Sequence, residues 1–322
     1  MGKRVFVTRR IPDVGLKMLE DKGYTVDVYP KDAIIGQKEL IRTLKKGSYD
    51  AVLCLLTDTI DRSVFDASPS VKLYANYATG FDNIDITEAK KRGIAVANAP
   101  APLSTEAVAE HTIALILALS TRIVEANEFV RRGKYTGWSP THFIGTTILG
   151  KTLGLIGAGR IGERVAYYAK GLGLALLYTD VARNEKMEKE YGAVYVASVE
   201  ELLPRADVVS LHIPLLSSTR HLINDTRLRL MKPTSFLINT SRGPIIDEGA
   251  LEMALREKVI AGAGLDVFEF EPKISRGLRN LQNVILTPHI ASASVEARDE
   301  MATVAVNNVI SFFETGKSLF II

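Results

Sequence analysis

The chain has 322 residues, of which 47% are hydrophobic and 24% are charged. This composition is typical of a folded, soluble protein and excludes a mainly disordered one. With roughly 150 residues per domain as a guide, the length predicts two domains. The single cysteine, Cys54, excludes an intrachain disulfide and leaves no cysteine cluster for zinc or iron–sulfur ligation, so no metal site is predicted.

Charge and hydropathy argue against two further classes of protein. The 40 Lys and Arg residues nearly balance the 37 Asp and Glu residues, and both signs are mixed along the chain, so no nucleic-acid partner is predicted. The most apolar segment, 112–121, is shorter than the roughly 18 uncharged residues that a membrane span needs. The apolar stretch before Arg9 and Arg10 indicates a buried strand rather than a signal peptide. We therefore expect a soluble, cytoplasmic protein with no membrane partner.

Short β-branched runs alternate with helical patterns from one end of the chain to the other. The predicted strands are 5–8, 25–28, 51–55, 71–75, 94–96, 152–156, 175–178, 208–212, 236–239, 263–265 and 284–286. The helical patterns between them include 12–22, 160–172 and 247–256. Apolar strands that alternate with helices are typical of parallel sheets covered on both faces, so we predict an α/β protein with two doubly wound parallel-sheet domains.

A break between the domains is indicated by Pro100 and Pro102, which stop regular structure. A long helix is predicted from 104 to 132, and its middle is apolar on all sides. A helix of that kind is expected to be wholly buried, between domains or between subunits. The last predicted helix, 294–314, is expected to return to the first domain.

A glycine-rich turn gives the clearest chemical signal. Gly157, Gly159 and Gly162 form a Gly-x-Gly-x-x-Gly motif between a strand and an amphipathic helix, and Asp180 ends the next strand. This context favours a dinucleotide site over a merely structural glycine turn, because the helix start offers amides to a pyrophosphate and the acid accepts hydrogen bonds from ribose hydroxyls. An acid at that position repels a 2′-phosphate, so NAD(H) is predicted over NADP(H). The nearby Arg183 is expected to soften that preference.

Three ionisable residues follow the ends of successive predicted strands in the second half. They are Arg242, Glu271 and His289. Ligands of open α/β sheets bind outside the carboxyl ends of the strands, so these side chains are expected to converge. Each of them alone has an equally simple interpretation as a surface charge or as a capping or packing residue.

Four segments, of which the glycine-rich turn is the first, resemble the D-isomer-specific 2-hydroxyacid dehydrogenase family. They read Gly-Ala-Gly-Arg-Ile-Gly, Asn-Thr-Ser-Arg-Gly-Pro, Gly-Leu-Asp-Val-Phe-Glu and Thr-Pro-His-Ile, and segment 78–85 of the first half matches as well. Segments 53–58 and 137–140 are most similar to glyoxylate/hydroxypyruvate reductases. The resemblance implies an NAD-dependent oxidoreductase that transfers hydride between NAD(H) and a small 2-keto or 2-hydroxy acid.

The resemblance also implies an architecture, a Rossmann-type nucleotide domain inserted into a flavodoxin-like substrate domain. The predicted boundaries are 1–101 and 287–322 for the substrate domain and 102–286 for the nucleotide domain. It further implies a homodimer.

Roles for the three ionisable residues come from the same resemblance. Arg242 is expected to hold the substrate carboxylate and carbonyl, since its planar fork suits bidentate contact. His289 is the expected general acid that protonates the carbonyl oxygen, and Glu271 the acceptor that fixes its tautomer. Asp266 is expected to hold the nicotinamide carboxamide.

Other site residues implied by the resemblance fall into two groups. The substrate-binding group is Leu55, Leu56, Thr79, Gly80 and Arg242, with Trp138 from the neighbouring subunit. The cofactor-binding group is Thr105, Gly157, Gly159, Arg160, Ile161, Gly162, Asp180, His212, Pro214, Thr219, Thr240, Ser241, Asp266 and His289.

Two kinds of alternative remain open from the sequence. One stays within the family, as a 3-phosphoglycerate or D-lactate dehydrogenase. The other is a non-catalytic, NAD-responsive binding protein similar to the corepressors that share these motifs. Formate as substrate is disfavoured, because the family's formate dehydrogenases carry Gln where this chain has Glu271.

Overall fold

The alternating strands and helices form two separate parallel sheets in the computed structural model, which describes residues 2–322. The first unit comprises the chain up to Ser104 together with Ala293–Ile322, and the second comprises Thr105–Ser292. The second unit is thus inserted in the sequence of the first.

Strands and helices of the described residues are numbered in chain order. The strands are β1 (Arg4–Val7), β2 (Thr25–Val28), β3 (Ala51–Leu55), β4 (Leu73–Tyr77), β5 (Ala95–Ala97), β6 (Thr152–Ile156), β7 (Ala175–Thr179), β8 (Val194–Tyr195), β9 (Val208–Leu211), β10 (Phe236–Asn239), β11 (Gly262–Leu265) and β12 (Val284–Leu286). The helices are α1 (Asp13–Asp21), α2 (Gln37–Lys46), α3 (Arg62–Ala67), α4 (Ile86–Lys91), α5 (Pro102–Thr121), α6 (Ile123–Arg131), α7 (Arg160–Gly171), α8 (Val199–Leu202), α9 (Asp225–Leu228), α10 (Glu248–Arg256), α11 (Arg276–Asn280) and α12 (Val295–Thr315). A π-helical turn, Met187–Tyr191, and a 3₁₀ turn, Gly243–Ile245, complete the helical segments of this part of the chain.

The first unit has the sheet order β2-β1-β3-β4-β5 with parallel pairing throughout, which is the flavodoxin-like order. Side chains alternate between its two faces, as the period of two requires. Val5 and Val7 pack with residues of α1 and α12, whereas Phe6 packs with residues of α2, α3 and α4. Both faces are therefore covered, which explains why the central strand β3 is apolar on both sides.

The end of the chain closes this sheet on its β5 side. Ile321 forms an antiparallel bridge with Ala97, and the Ile322 N–H donates to the Val96 carbonyl at 3.0 Å. In this apolar C-terminal segment Ile322 packs against the core of the unit, whereas Leu319, Phe320 and Ile321 are exposed.

The second unit has the order β12-β11-β10-β9-β6-β7-β8, again with parallel pairing. Counted from β6 as its first strand, this is the Rossmann order 3-2-1-4-5-6 with one further strand. The sheet reverses between β6 and β9, which is where such sheets bind dinucleotides. The predicted α/β class with a Rossmann-type domain inserted into a flavodoxin-like one is confirmed.

The predicted helix 104–132 is wrong in one respect, because it is two helices. Arg122 separates α5 from α6 with a left-handed backbone (φ 57°). The Thr146 N–H donates to the Ser120 carbonyl at 2.8 Å, so this carbonyl bonds a returning segment. The break between α5 and α6 therefore goes with a contact from a segment distant in sequence.

The expectation of a wholly buried helix also needs correction. In α5, Ile113, Leu115, Ile116 and Leu119 lie in the core of the second unit, but α6 has no buried residue. By length and composition α5 is apolar enough to cross a membrane, but these four side chains pack in the core of the second unit.

Both domain boundaries differ from the predicted ones by a few residues. Residues 102–104, expected in the nucleotide domain, belong to the first unit. Residues 287–292, expected in the substrate domain, belong to the second unit. The reason is hydrogen bonding to Asp266 at the end of β11: the His289 N–H donates to its carbonyl, and the Ala291 N–H to its carboxylate.

Candidate active site

The glycine-rich turn between β6 and α7 needs glycine at two positions for steric reasons. Gly157 has φ 105°, and a Cβ there would lie 2.4 Å from the His212 carbonyl oxygen. A Cβ at Gly162 would lie 2.2 Å from the Gly157 carbonyl oxygen. Both glycines are therefore required by close backbone approach within the unit.

Gly159 differs from these two because its side-chain position is open. A Cβ there would meet nothing within 4 Å, and Gly159 is the N-cap of the twelve-residue helix α7, which begins with the exposed Arg160 and the half-buried Ile161. The unpaired N–H groups and the positive dipole end of a helix start attract a phosphate anion. This open cradle fits the pyrophosphate of a dinucleotide.

Asp180 directly follows β7 and faces the turn. Its Oδ2 accepts from the Ala158 N–H and its Oδ1 from the Val181 N–H, both at 2.6 Å. Each carboxylate oxygen keeps a further lone pair, so both can still accept hydrogen bonds from ribose hydroxyls. The position therefore fits the adenine-side ribose of a dinucleotide.

Arg183, three residues further on, is paired within its own segment. Its Nη2 and Nε atoms lie 2.6 and 2.9 Å from the two carboxylate oxygens of Glu188. Hydrogen bonds from Arg183 and Tyr178 lower the pKa of Glu188 to about 2. The guanidinium also lies over the ring of Tyr195. Arg183 is thus neutralised by an acid other than Asp180.

His212 follows β9 and lies beside the glycine-rich turn. Its Nε2 is 2.9 Å from the Ser210 hydroxyl, and its buried Nδ1 has no hydrogen-bond partner within residues 2–322. Burial lowers the pKa of His212 to about 3, so the ring is neutral near pH 7. The following loop is closed by Thr219, whose hydroxyl donates to the Pro214 carbonyl at 2.7 Å.

Arg242 is presented by a tightly bonded turn after β10. The Asn239 side chain donates to the Arg242 carbonyl and accepts from the Ser241 N–H, at 2.9 and 3.0 Å. A Cβ at Gly243 would lie 1.9 Å from main-chain atoms of Phe268, so the next segment packs directly on this turn. Glycine after Arg242 is what lets the two loops approach each other.

Thr240 and Ser241 of the same turn face inward. The Thr240 hydroxyl is 2.9 Å from that of Thr112 on α5, and the Ser241 hydroxyl donates to the Leu211 carbonyl at 2.7 Å. Both side chains hold the turn. Thr105, another predicted cofactor residue, lies half-buried on α5.

His289 and Glu271 form an ion-pairing contact across the loops that follow β11 and β12. The His289 Nδ1 is 3.0 Å from the Glu271 Oε2, and both side chains are about one-third exposed (30% and 33%). His289 has a left-handed backbone, with φ 55°. Its second ring nitrogen, Nε2, is not used in this contact.

The charge state of Glu271 follows from its neighbours. Burial opposes ionisation, but hydrogen bonds from His289 and the Phe268 N–H and the positive charges of His289 and Arg242 outweigh it, so the pKa of Glu271 lies below its usual value. An ionised carboxylate only accepts hydrogen bonds. The proton of this contact therefore sits on the His289 Nδ1.

Asp266 lies at the centre of the loop that carries His289. The carboxylate accepts from the Thr287 hydroxyl at 2.6 Å and from the N–H groups of Ile290 and Ala291 at 2.9 and 2.8 Å, and the residue is fully buried. The structure thus gives Asp266 a role in shaping this loop. The contact with a nicotinamide carboxamide stays a prediction.

Two side-chain contacts near the site were not predicted from the sequence. His111, on α5, has its Nε2 3.0 Å from the Thr287 hydroxyl. His221, which lies in no motif, has its Nε2 2.6 Å from the buried Glu269 carboxylate, two residues before Glu271. The only sequence signal for either contact was Thr287, because it precedes the Pro-His pair.

The predicted substrate residues of the first unit lie on two loops. Leu55 ends β3 and Leu56 follows it, both half-buried, and Thr79 and Gly80 follow β4. Asn83 joins the loops, because its Nδ2 donates to the Leu55 and Asp58 carbonyls, both at 3.1 Å.

Trp138 lies in an irregular segment of the second unit and is 84% exposed. Other exposed apolar side chains occur on α6 and on this segment. They are Ile123, Val124, Val130, Tyr135, Ile144 and Leu149. This surface is not covered within the unit.

Among residues 2–322, no group of three or more His, Cys, Asp and Glu side chains is arranged to hold a metal ion. The groups described above are those of a dinucleotide fold with an acid–base pair and an arginine at the carboxyl edge of its sheet.

Comparison with known proteins gives concordant matches. A family model described as the D-isomer specific 2-hydroxyacid dehydrogenase, NAD binding domain, matches residues 113–291. A glyoxylate reductase of Korarchaeum cryptofilum is 48% identical over 314 residues, which are 97% of this chain and 93% of that protein.

Solved structures of similar fold match this chain over nearly its whole length. A glyoxylate reductase from Paecilomyes thermophila has a TM-score of 0.87 and 31% identity, covering 100% of this chain and 98% of that one. An NADPH-dependent glyoxylate/hydroxypyruvate reductase from Sinorhizobium meliloti, in complex with citrate, has a TM-score of 0.85 and 30% identity, covering 99% and 97%.

Proposed function

Because the chain belongs to the D-isomer-specific 2-hydroxyacid dehydrogenase family, we propose that it reduces glyoxylate or hydroxypyruvate to the corresponding 2-hydroxy acid. The observation that carries the proposal is the Glu271–His289 pair, which holds a histidine proton donor beside the charge of Arg242. The names of the similar proteins supply the substrate class. An NADH bound at the glycine-rich turn supplies the hydride.

The acid step follows from the state of the pair. Glu271 is ionised, so the His289 Nδ1 keeps its proton in both states of the ring. In imidazolium form, Nε2 carries the second proton and donates it to the carbonyl oxygen as the hydride reaches the carbon. Glu271 then still accepts from the neutral ring, and one proton is consumed in each turnover.

The substrate carboxylate is assigned to two groups. Arg242 contacts it through its guanidinium fork. The main-chain amides around Thr79 and Gly80 supply the remaining hydrogen bonds, and Leu55 and Leu56 the apolar contacts. These assignments follow from the family.

A steady-state assay tests the proposed reaction. NADH consumption is measured with glyoxylate, hydroxypyruvate, pyruvate and 3-phosphohydroxypyruvate. We expect the highest kcat/KM with one of the first two. A higher kcat/KM with pyruvate or with the phosphorylated acid would favour the lactate or phosphoglycerate alternative, and no turnover with any of them would favour a binding protein.

For the cofactor we propose NADH over NADPH. Asp180 disfavours a 2′-phosphate by its charge, and Arg183 is held by Glu188 instead of offsetting that charge. One similar structure is of an NADPH-dependent reductase, so the fold alone does not set the preference. A higher kcat/KM with NADPH than with NADH in the wild-type protein would contradict the proposal.

The variant Glu188→Gln tests whether the pairing of Glu188 with Arg183 sets the preference for NADH. Loss of the carboxylate frees Arg183 for a 2′-phosphate, so we expect the NADPH to NADH ratio of kcat/KM to rise by about tenfold, the effect of one charge-assisted contact. Glu185→Gln is the matched control, because it removes the same charge from the same segment, where Glu185 pairs with Lys189 instead. An unchanged ratio in Glu188→Gln, or an equal rise in both variants, would show that Glu188 does not set the preference.

We also propose a homodimer whose interface includes α6 and the irregular segment that carries Trp138. The supporting observation is that these two segments expose several large apolar side chains, which proteins tend to cover at interfaces. The long helix α5, expected to need a partner, packs Ile113, Leu115, Ile116 and Leu119 into the core of the second unit.

Replacing Trp138 with alanine tests whether it reaches the partner's substrate pocket. We expect kcat/KM for glyoxylate to fall by about tenfold, as for loss of one large apolar contact, while the Kd for NADH is unchanged. Steady-state kinetics and NADH fluorescence titration give the two values. Equal losses in both would contradict a substrate-pocket role.

A further inference from the structure

Two side-chain amides hold the loop that follows β4 in the first unit. The Asn98 Nδ2 donates to the Thr79 carbonyl at 2.7 Å, and the Asn76 Nδ2 donates to the Gly80 carbonyl at 2.9 Å. Two consecutive carbonyls of one loop are thus bound by asparagines from the ends of different strands, β4 and β5.

These bonds fix the direction of two main-chain N–H groups. In a trans peptide the carbonyl and the following N–H point in opposite directions in one plane. When Asn98 binds the Thr79 carbonyl, the Gly80 N–H points away from Asn98, and when Asn76 binds the Gly80 carbonyl, the Phe81 N–H points away from Asn76. Within the described chain, neither N–H donates to a protein acceptor.

Both polar atoms of the Asn76 side chain are held by hydrogen bonds. The residue is fully buried, its Nδ2 also donates to the Asn83 Oδ1 at 3.0 Å, and its Oδ1 accepts from the Cys54 thiol at 3.5 Å. Since the Gly80 carbonyl only accepts, the atom facing it must be the nitrogen. The amide orientation is therefore determined by its partners.

Asn98 is fixed through its main chain. Its N–H donates to the Phe320 carbonyl at 3.2 Å, and its carbonyl accepts from Nδ2 of the buried Asn308 on α12 at 2.8 Å. These contacts do not depend on the Asn98 side chain. A substitution of that side chain therefore removes the contact with Thr79 and leaves the backbone anchored.

We propose that Asn98 and Asn76 are positioning residues that aim the Gly80 and Phe81 N–H groups at the carboxylate of the 2-oxo acid substrate. The inference rests on the proposed function and deepens it, since it assigns the orientation of the carboxylate site to two named side chains. Two oriented N–H donors bind a carboxylate equally in the ground state and the transition state, so their loss weakens substrate binding more than the chemical step.

The test compares wild-type protein with Asn98→Ala and Asn98→Asp, of which the second keeps the shape but cannot donate to the Thr79 carbonyl. KM and kcat are measured with NADH and glyoxylate, and oxamate, an unreactive analogue, is titrated against the NADH complex. We expect KM and the oxamate Kd to rise about tenfold or more in both variants, with a smaller change in kcat and an unchanged Kd for NADH.

The matched control is Gln37→Ala, which removes another side-chain amide of the same unit, one that donates to the Asp61 carboxylate at 2.7 Å. We expect wild-type KM in this control. Unchanged KM and oxamate Kd in whichever Asn98 variants fold would overturn the inference, as would an equal rise in Gln37→Ala. A wild-type protein that neither consumes NADH with glyoxylate nor binds oxamate would instead overturn the proposed function.

Discussion

Replacing His289 with alanine is expected to lower kcat for glyoxylate reduction by about 10²–10⁴-fold, the usual contribution of a positioned general acid. The ring is held by its Nδ1 contact with Glu271, so its Nε2 alone is available to a carbonyl oxygen. Alanine leaves no proton donor on this loop, whereas the glycine-rich turn and Asp180 remain. The measurement is kcat at saturating glyoxylate and NADH, with the Kd for NADH as control.

His289→Asn separates shape from proton transfer, because it fills much of the same space but carries no titratable ring. We expect the same loss of kcat in this variant. A kcat within about threefold of wild type in either variant would remove His289 from the acid role.

The pH profile follows from the same proton balance. Reduction consumes a proton, so its rate is expected to fall as pH rises, while oxidation of the hydroxy acid improves. Glu271 has a lowered pKa, so its carboxylate is fully present above the usual value of about 4.3 and is lost only as pH falls through the lowered value. A loss of rate between pH 5 and 7 would therefore not come from Glu271.

Replacing Arg242 with alanine is expected to lower kcat/KM for glyoxylate by about 10²–10⁴-fold, because two charge-assisted hydrogen bonds to the substrate are lost. Arg242→Lys keeps the charge but not the planar fork, so only part of the loss should be recovered. Arg229→Ala is the matched control, since Arg229 is an exposed arginine of the same unit that pairs with Asp225.

The contradicting result is an unchanged kcat/KM in Arg242→Ala, or an equal loss in Arg229→Ala. A change confined to the Kd for NADH would place Arg242 at the cofactor rather than at the substrate.

The fold class could be predicted from the sequence because both sheets are covered on both faces. Strands in such sheets are apolar on both sides, and that pattern is visible in the sequence. An uninterrupted apolar run such as β3 identifies a strand of that kind. Strand β8 was not predicted, since two residues carry no period. The break at Arg122 was not predictable either, because it goes with a hydrogen bond from the Thr146 N–H to the Ser120 carbonyl, and these residues are 26 positions apart.

The candidate site was predictable in part for a similar reason. Residues directly after strands, such as Arg242 and His289, share one edge of a parallel sheet. Contacts that depend on how the loops fold could not be predicted. Examples are the contact of Glu269 with His221 and the burial of Asp266. The asparagine contacts of Thr79 and Gly80 depend on the same kind of tertiary detail.

The most direct test of the central claim follows the hydride and the configuration of the product. Wild-type protein is incubated with hydroxypyruvate and NADH deuterated at both C4 positions, and the glycerate is examined by mass spectrometry and chiral chromatography. We expect D-glycerate with one deuterium at C2 for each NADH consumed. L-glycerate, product without deuterium at C2, or no consumption of NADH with either hydroxypyruvate or glyoxylate would contradict the account.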